Sequence, residues 1–350
     1  MIPIKPVLYP EKNFAGQYCL SPFIQIEVTV EGHVRLCGCS GWMPTVIGNL
    51  FEQSLEDMLA SELATDIRRS IITGSYKYCN EQSCGLIVNG SLNTKDTLPP
   101  NVKALMQDPA KFDMPYEISL AGDIVCNLSC PSCRNRVIAA DETQRAQQQH
   151  LANQLKQNLF GRPSTAPICL NLSNSGEVFA SHMLLEFLQS IPVDDFPNLT
   201  VKLQTNGLLL PTHWHKLGKL QKRVVSISVS IDAASAETYE VLRRGGTWPK
   251  LLTALDTIRN IKQQQPLEFN TRMVVQQRNY QEVLDFYNLS QQYEVDRVEY
   301  IRIGNWYWDQ LTFQQADVMN PAHAEYELAK THMQQVIGLP HTWFSGGTLI

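Results

Sequence analysis

Apolar and polar residues alternate with period two from Phe23 to Val30, the pattern of a half-buried strand. Glu31-Gly32 supplies a turn, and His33 to Leu36 continue as the hairpin partner. The period then changes. Ser54 caps a helix predicted to reach Thr73, with Asp57 in the capping position and Leu55, Met58, Leu59 and Leu63 at helical spacing. Gly74 ends it. Residues 91–113 carry Pro99, Pro100 and Pro109 with little pattern and read as a linker. From Met114 onward short strands near 116–121, 168–173, 200–205, 224–231, 268–275 and 297–303 alternate with helical stretches such as Gln144–Leu159, Met183–Ser190, Leu251–Gln263 and Tyr280–Tyr293. Such alternation implies an α/β fold, a parallel sheet with helices outside it. The repeats are too few for a closed eight-stranded barrel, so an open, partial (β/α)6 TIM-like barrel is expected. The chain divides into a small N-terminal unit (14–90), the linker (91–113), the core (114–310) and a C-terminal extension (311–350).

Several core strands are polar on one face. Ser226, Ser228, Ser230 and Asp232 alternate with Val225, Ile227, Val229 and Ile231; Lys202, Gln204 and Asn206 alternate with Val201, Leu203 and Thr205. Asn270, Arg272 and Gln276 share a polar face against Phe269, Thr271, Met273 and Val275. A parallel sheet that only filled a core reads apolar on both faces. The pattern therefore points to a concave site for a polar ligand; a face that meets water or another chain gives the same alternation.

Composition narrows the setting. The 350 residues are 43% hydrophobic and 18% charged, with formal net charge −5, as in a globular protein without the broad basic footprint of a nucleic-acid binder. Residues 1–14 hold three prolines and no apolar core of a signal peptide. No apolar run approaches the roughly 18–20 residues of a membrane span. The expectation is a cytoplasmic protein that does not engage membrane. In a reducing compartment nine cysteines are more readily metal ligands or redox groups than disulfides.

Cys126-Asn-Leu-Ser-Cys130-Pro-Ser-Cys133 follows the first core strand. A structural zinc site takes four ligands, and no further Cys or His lies within fifteen residues. An iron–sulfur cluster with one open iron explains the missing ligand.

This loop resembles the signature of the radical S-adenosylmethionine (SAM) family, and the resemblance covers roughly residues 114–310. It implies a [4Fe–4S] cluster on Cys126, Cys130 and Cys133 whose open iron is chelated by SAM, and a 5′-deoxyadenosyl radical that abstracts hydrogen from substrate. Later motifs follow in order. Asn174-Ser175-Gly176-Glu177 stands where the family binds the methionyl amino group, though Ser175 and Val178 depart from its pattern, leaving Gly176 and Glu177. Asn206 of Thr205-Asn206-Gly207, and Ser230 and Asp232 of Ser230-Ile231-Asp232, fall where relatives approach SAM. Arg243, in Leu242-Arg243-Arg244-Gly245-Gly246, fits the family's anchor for the SAM carboxylate.

Cys19, Gly32 and Cys37 form C-x12-G-x4-C, followed by Ile47-Gly48-Asn49-Leu50, Ile67-Arg68, Tyr78-Cys79 and Cys84. This is similar to the SPASM or shortened Twitch module of radical SAM enzymes, here preceding the barrel and with cysteines for one cluster. The resemblance implies an auxiliary [4Fe–4S] cluster on Cys19, Cys37, Cys79 and Cys84. Four thiolates also suit structural zinc, and Cys39 is an alternative to Cys37 or a neighbour of the cluster. Cys169 reads as core or lumen lining.

SPASM and Twitch enzymes commonly modify ribosomally made peptides or proteins, and the resemblance favours such a substrate, with an electron donor such as a ferredoxin or flavodoxin. A radical SAM enzyme for a sugar or amino acid, and a non-enzymatic metal-binding or redox-sensing protein, are the other readings. Trp306-Tyr307-Trp308, beyond the sixth strand, reads equally as substrate mouth or aromatic core.

Overall fold

A computed structural model describes residues 6–112, 114, 116–121, 123–172, 176–305 and 307–345. The chain forms two compact units, one of Met1–Asp123, Asp141–Ser175 and Glu186–Thr200, the other of Ile124–Ala140, Gly176–Leu185 and Val201–Ile350.

The first unit contains β1 (Gln17–Tyr18), β2 (Gln25–Thr29), β3 (His33–Arg35), β4 (Gly48–Asn49), β5 (Asn93–Thr94), β6 (Glu117–Ala121) and β7 (Ile168–Leu172). Among the described residues, β1 pairs only with β5. The others form a sheet in the order β7-β6-β2-β3-β4, parallel from β7 to β2 and antiparallel beyond. The expected hairpin is present, with Glu27 opposite Arg35 and Val28 opposite Val34. Its turn needs Gly32, at φ +78°, where a Cβ would meet the Asn49 side chain at 2.6 Å. Phe23 and Ile24, expected as strand, instead close a helical turn (Ser21–Ile24) with Pro22 in its first positions. β2 then lies along β6, Ile26 opposite Ile118 and Val28 opposite Leu120, all four buried. Glu27 is buried too, at 3.3 Å from Arg35; burial raises its pKa and Arg35 opposes the rise.

The helix expected over Ser54–Thr73 is broken in two, Leu55–Ala60 and Glu62–Ile72. Ser61 sits between them in an extended conformation, and its hydroxyl accepts the Ala64 amide at 3.2 Å. A serine that caps a following turn competes with its own place in a continuous helix. Helix Pro100–Leu105 packs Val102 and Leu105 against Ile71, Tyr76 and Cys79. The long helix Glu142–Phe160 begins two residues before the periodic stretch because Asp141 and Gln144 form a capping box. Its Asn158 accepts the Leu55 amide at 2.9 Å, so this crossover helix docks on the N-terminal segment.

The second unit takes in β8 (Leu199–Thr205) from Val201, with β9 (Val224–Ser230), β10 (Glu268–Val275), β11 (Arg297–Arg302) and β12 (Thr342–Ser345), all parallel in that order. All six expected core strands are therefore present across the two units. β12 is an addition from the C-terminal extension, in register with β11 and with Phe344 stacked on Tyr300. Ile227, Val229, Phe269, Met273, Val298 and Tyr300 are fully buried on one face. On the other face Arg272 reaches Gln204 on one side and Glu299 on the other, the latter at 2.6 Å. Ser345 donates to Glu299 at 2.8 Å, and the Asn270 amide to Ser226 and Ser228 at 3.3 and 3.5 Å. The alternation read from the sequence is thus a hydrogen-bonded polar floor.

Candidate metal and cofactor sites

The loop Ile124–Ala140 belongs to the second unit. It is closed at its base by the Cys126 amide on the Ile138 carbonyl (3.1 Å), and turned at its tip by the Cys133 and Arg134 amides on the Cys130 carbonyl, both 2.9 Å. Arg244 staples it: its carbonyl accepts the Ser129 amide, and its guanidinium donates to Ser129 Oγ at 3.1 Å and to the Asn135 carbonyl at 3.2 Å. Leu128 is buried beneath.

Each of the three loop sulfurs faces an N–H donor. Cys126 Sγ receives the Leu128 amide at 3.4 Å, with Asn206 Nδ2 at 4.0 Å. Cys130 Sγ receives Arg243 Nη1 at 3.8 Å. Cys133 Sγ receives Arg134 Nε and Nη2 at 3.4 and 3.3 Å. Burial pushes the Cys126 thiol up to about 11 against the Leu128 amide and Arg134, and raises Cys130 against Arg243. N–H donors at sulfurs that run from buried Cys130 through half-buried Cys126 to exposed Cys133 are suited to thiolates, the form in which cysteine binds metal.

The remaining expected residues fall into two strings attached to this loop. In the first, Asn206 donates to Asn127 Oδ1 at 2.9 Å and gives its own amide to Glu177 Oε2 at 2.7 Å. Glu177 Oε1 accepts the Thr205 hydroxyl at 2.6 Å and the Phe179 amide at 3.3 Å, so this buried carboxyl braces the end of β8. Burial raises its pKa, with Thr205 and the two amides opposing. In the second string, Arg243 Nη2 pairs with Asp232 Oδ2 at 2.7 Å. Asp232 sits at the end of β9 with φ +64°, a region Asp tolerates better than most residues, and accepts the Val274 amide at 2.7 Å. Burial works against the charge on Arg243, but Asp232 and the Cys130 sulfur more than offset it and hold the guanidinium protonated. Among the described residues, the buried Arg243 Nε has no hydrogen-bond partner.

Gly176 is exposed, and Asn174 and Ser175 lie outside the described residues, as does Trp306. Ser230 is half-buried on the polar face two residues before Asp232, opposite Arg272, and is not a member of either string. The sequence reading missed Asn127, Arg134 and the stapling role of Arg244. An arginine immediately after Cys133 was a visible signal, because a cation beside a thiolate lowers the cost of its charge.

In the first unit, Cys19, Cys37, Cys79 and Cys84 line one largely apolar cavity together with Trp42 and Tyr76. Cys37 arrives just after β3, Cys19 just before the Ser21–Ile24 turn. The Cys84 amide on the Asn80 carbonyl (2.9 Å) turns the last pair, and the Asn80 amide on the Trp42 carbonyl (2.8 Å) ties it to the loop after Cys37. Burial pushes Cys79 up to about 12, Cys37 well above the ordinary thiol range, and Cys19 upward. Cys39 is half-buried outside the cavity lining, its sulfur facing the Gly41 and Trp42 amides. Cys169, half-buried on β7, is in register with Glu117. Four thiols lining one cavity are the ligand number of a [4Fe–4S] cluster and of a structural zinc alike.

Residues 19–85 match the SPASM family, described as an iron–sulfur cluster-binding domain. No curated protein matches the chain. Among solved structures, anSMEcpe with bound AdoMet is 19% identical over 55% of this chain and 51% of that chain, with TM-score 0.38. Streptococcus suis SuiB bound to S-adenosylmethionine is 15% identical over 82% and 63%, with TM-score 0.42. A radical SAM methyltransferase from Sphaerobacter thermophilus is 17% identical over 64% of each chain, with TM-score 0.38. The chain thus spans between about half and two thirds of the length of these structures, and likenesses this distant add no weight. The module match and the cysteine loop do: the N-terminal segment is an iron–sulfur module of the SPASM kind. Further along the chain, outside the matched residues, the CxxxCxxC loop follows a parallel strand. No described helix is long and apolar enough to cross a membrane.

Proposed function

We propose that this chain is a radical SAM enzyme that reductively cleaves SAM to a 5′-deoxyadenosyl radical, abstracts hydrogen from substrate, and modifies a ribosomally made peptide or protein. The observation that carries the reading is the loop of three cysteines with an N–H donor at every sulfur and both residue strings attached to it. A [4Fe–4S] cluster on those thiolates would supply the electron for C–S cleavage, drawn from a donor of the ferredoxin or flavodoxin kind. The chain's own part is to hold and shield. Cys126, Cys130 and Cys133 are the ligands; Asn206, Arg134 and Arg243 donate to the sulfurs; Glu177 braces the end of β8. Gly176, Ser230 and Asp232 border the position proposed for SAM. Arg243 reaches a SAM carboxylate only by sharing its guanidinium with Asp232.

Residues 114–310 are the proposed core and 14–90 the auxiliary module, with Cys19, Cys37, Cys79 and Cys84 as ligands of a second [4Fe–4S] cluster. Their common cavity supports that set over one using Cys39. A peptide substrate is favoured by the match of residues 19–85 to the SPASM module, which the family resemblance links to enzymes that modify ribosomally made peptides.

The test is anaerobic reconstitution with SAM and a low-potential reductant. Joint replacement of Cys126, Cys130 and Cys133 by Ala is expected to abolish 5′-deoxyadenosine while iron in the N-terminal module persists. Undiminished nucleoside in that variant contradicts the proposal. Mass spectrometry of candidate peptides incubated with the intact protein then reads the substrate class.

A further inference from the structure

Residues 276–282 lead from β10 into helix Val283–Gln292 and make two sets of hydrogen bonds to the chain between β9 and Arg243. The proposed chemistry gives neither set a task. Asn279, which is 1% exposed, makes the first. Its Nδ2 donates to the Asp232 carbonyl at 2.8 Å and to the Val274 carbonyl at 2.9 Å, while its Oδ1 accepts the Gln276 amide at 2.8 Å. Asp232 is thereby held by its own carbonyl and, through the Val274 amide on Oδ1, by its carboxylate as well. A residue at φ +64° stays in place where its surroundings fix it at several points. Glu282 makes the second set. Its Oε2 accepts the Ala234 amide at 2.6 Å, and its Oε1 accepts the Ser235 hydroxyl at 2.8 Å and the Thr238 hydroxyl. These partners lead into and form the first turn of helix Ala236–Leu242, whose other end is capped by Arg243. Hydrogen bonds to an ionised acceptor are stronger than neutral ones, so three of them on one carboxylate make a firm joint.

We propose that Asn279 and Glu282 are positioning residues for Arg243. Asn279 fixes Asp232, the ion-pair partner, and Glu282 fixes the start of the helix that ends at Arg243. Between the two joints the guanidinium is set with Nη2 on Asp232 and Nη1 toward Cys130 Sγ. A short helix moves as one body, so a shift at its start is carried to Arg243. The inference rests on the reading of Arg243 as the anchor of the SAM carboxylate, a contact that a small misplacement of the donor weakens.

The experiment is a double-mutant cycle read by isothermal titration of SAM into the full-length, reconstituted protein. Glu282→Gln removes the charge at constant size, and Asn279→Asp turns the Nδ2 donor into an acceptor. Each is expected to weaken SAM on the order of tenfold, the scale of one charge-assisted hydrogen bond. In an Arg243→Gln background the same changes are expected to add almost nothing, because the residue they act through is gone. Unchanged affinity in both single variants overturns the inference. So does an equal loss in the two backgrounds, which marks a general disturbance of the fold. If these variants fail to fold or to hold iron, Thr238→Val, which removes one donor to Glu282 and keeps the shape, decides by the same two criteria. Wild-type protein that binds no SAM, or Arg243→Gln that binds it normally, defeats the anchor assignment and the inference with it, before any change at Asn279 or Glu282 is made.

Discussion

Arg243 is held between a carboxylate and a sulfur, both nearly out of reach of water. Its value to the fold is therefore that of a buried charge with a partner. Removing one member of such a pair leaves the other stranded, which costs about 3–5 kcal/mol, while removing both costs much less than the sum. Urea unfolding of the metal-free protein is expected to show that loss for Arg243→Ala and a strong negative coupling with Asp232→Ala. Simple additivity would mean that the two do not act as a pair. The thiols set a second dependence. An unfolded cysteine ionises near ~8.5, whereas folded Cys79 is pushed up to about 12 and Cys37 well above the ordinary range, both by burial. Between those values the folded chain binds more protons than the unfolded one, so stability of the reduced, metal-free protein falls as pH rises. The slope is about 1.4 kcal/mol per pH unit for each such thiol. Unfolding midpoints measured from about pH 8 to about pH 10 should decline, and less steeply in Cys79→Ala. An equal slope in the variant would place its thiol outside the low-dielectric cavity.

Elements were legible where a period was sustained. The strands of the core stand out because buried aliphatics alternate with serines and amides over β9 and β10, and a parallel sheet keeps one face polar only for a reason. The break at Ser61 was not legible. Its apolar spacing continues through Leu59 and Leu63 as if the helix ran on, and only the hydroxyl on the Ala64 amide reveals a second cap. Ser61→Ala is expected to cost about 1 kcal/mol, the value of a lost N-cap, read from thermal or urea unfolding. No change would show that the second helix is held by packing alone. β12 escaped the sequence reading because four residues in an aromatic, serine-flanked stretch give no period to detect; tertiary pairing with β11 defines it. The site was legible to the same degree. Cysteine spacing marks candidate ligands, but the pairing of Asp232 with Arg243 requires a turn with positive φ that no periodicity reveals.

At the scale of the whole chain, the N-terminal segment supplies a strand to the sheet of the first unit. Without residues 6–112, β6 loses β2 and becomes an exposed parallel edge whose Ile118 and Leu120 are uncovered. A chain starting at Met114 is expected to aggregate on expression instead of yielding a folded core. A monodisperse, folded product in size-exclusion chromatography would contradict this. Iron content tests the two-cluster organisation: about eight irons per intact chain are expected, and about four after Cys79 and Cys84 are both replaced by Ala. Stoichiometric zinc in the intact protein would instead make the cavity a structural staple.

The parallel register of β2 with β6 has one more consequence, for the order of assembly. Between the two strands runs a long stretch of chain, from Val30 to Tyr116, which must be folded back before their first hydrogen bond can form. A cluster bridging Cys37 and Cys84 shortcuts about half of that stretch, and halving an open loop recovers about 0.6 kcal/mol of closure entropy. Metal loading at the N-terminus would then act as a tether made early in synthesis. A chain that acquires iron late would search for β6 with a longer leash, and expose an unpaired strand for longer while it does so.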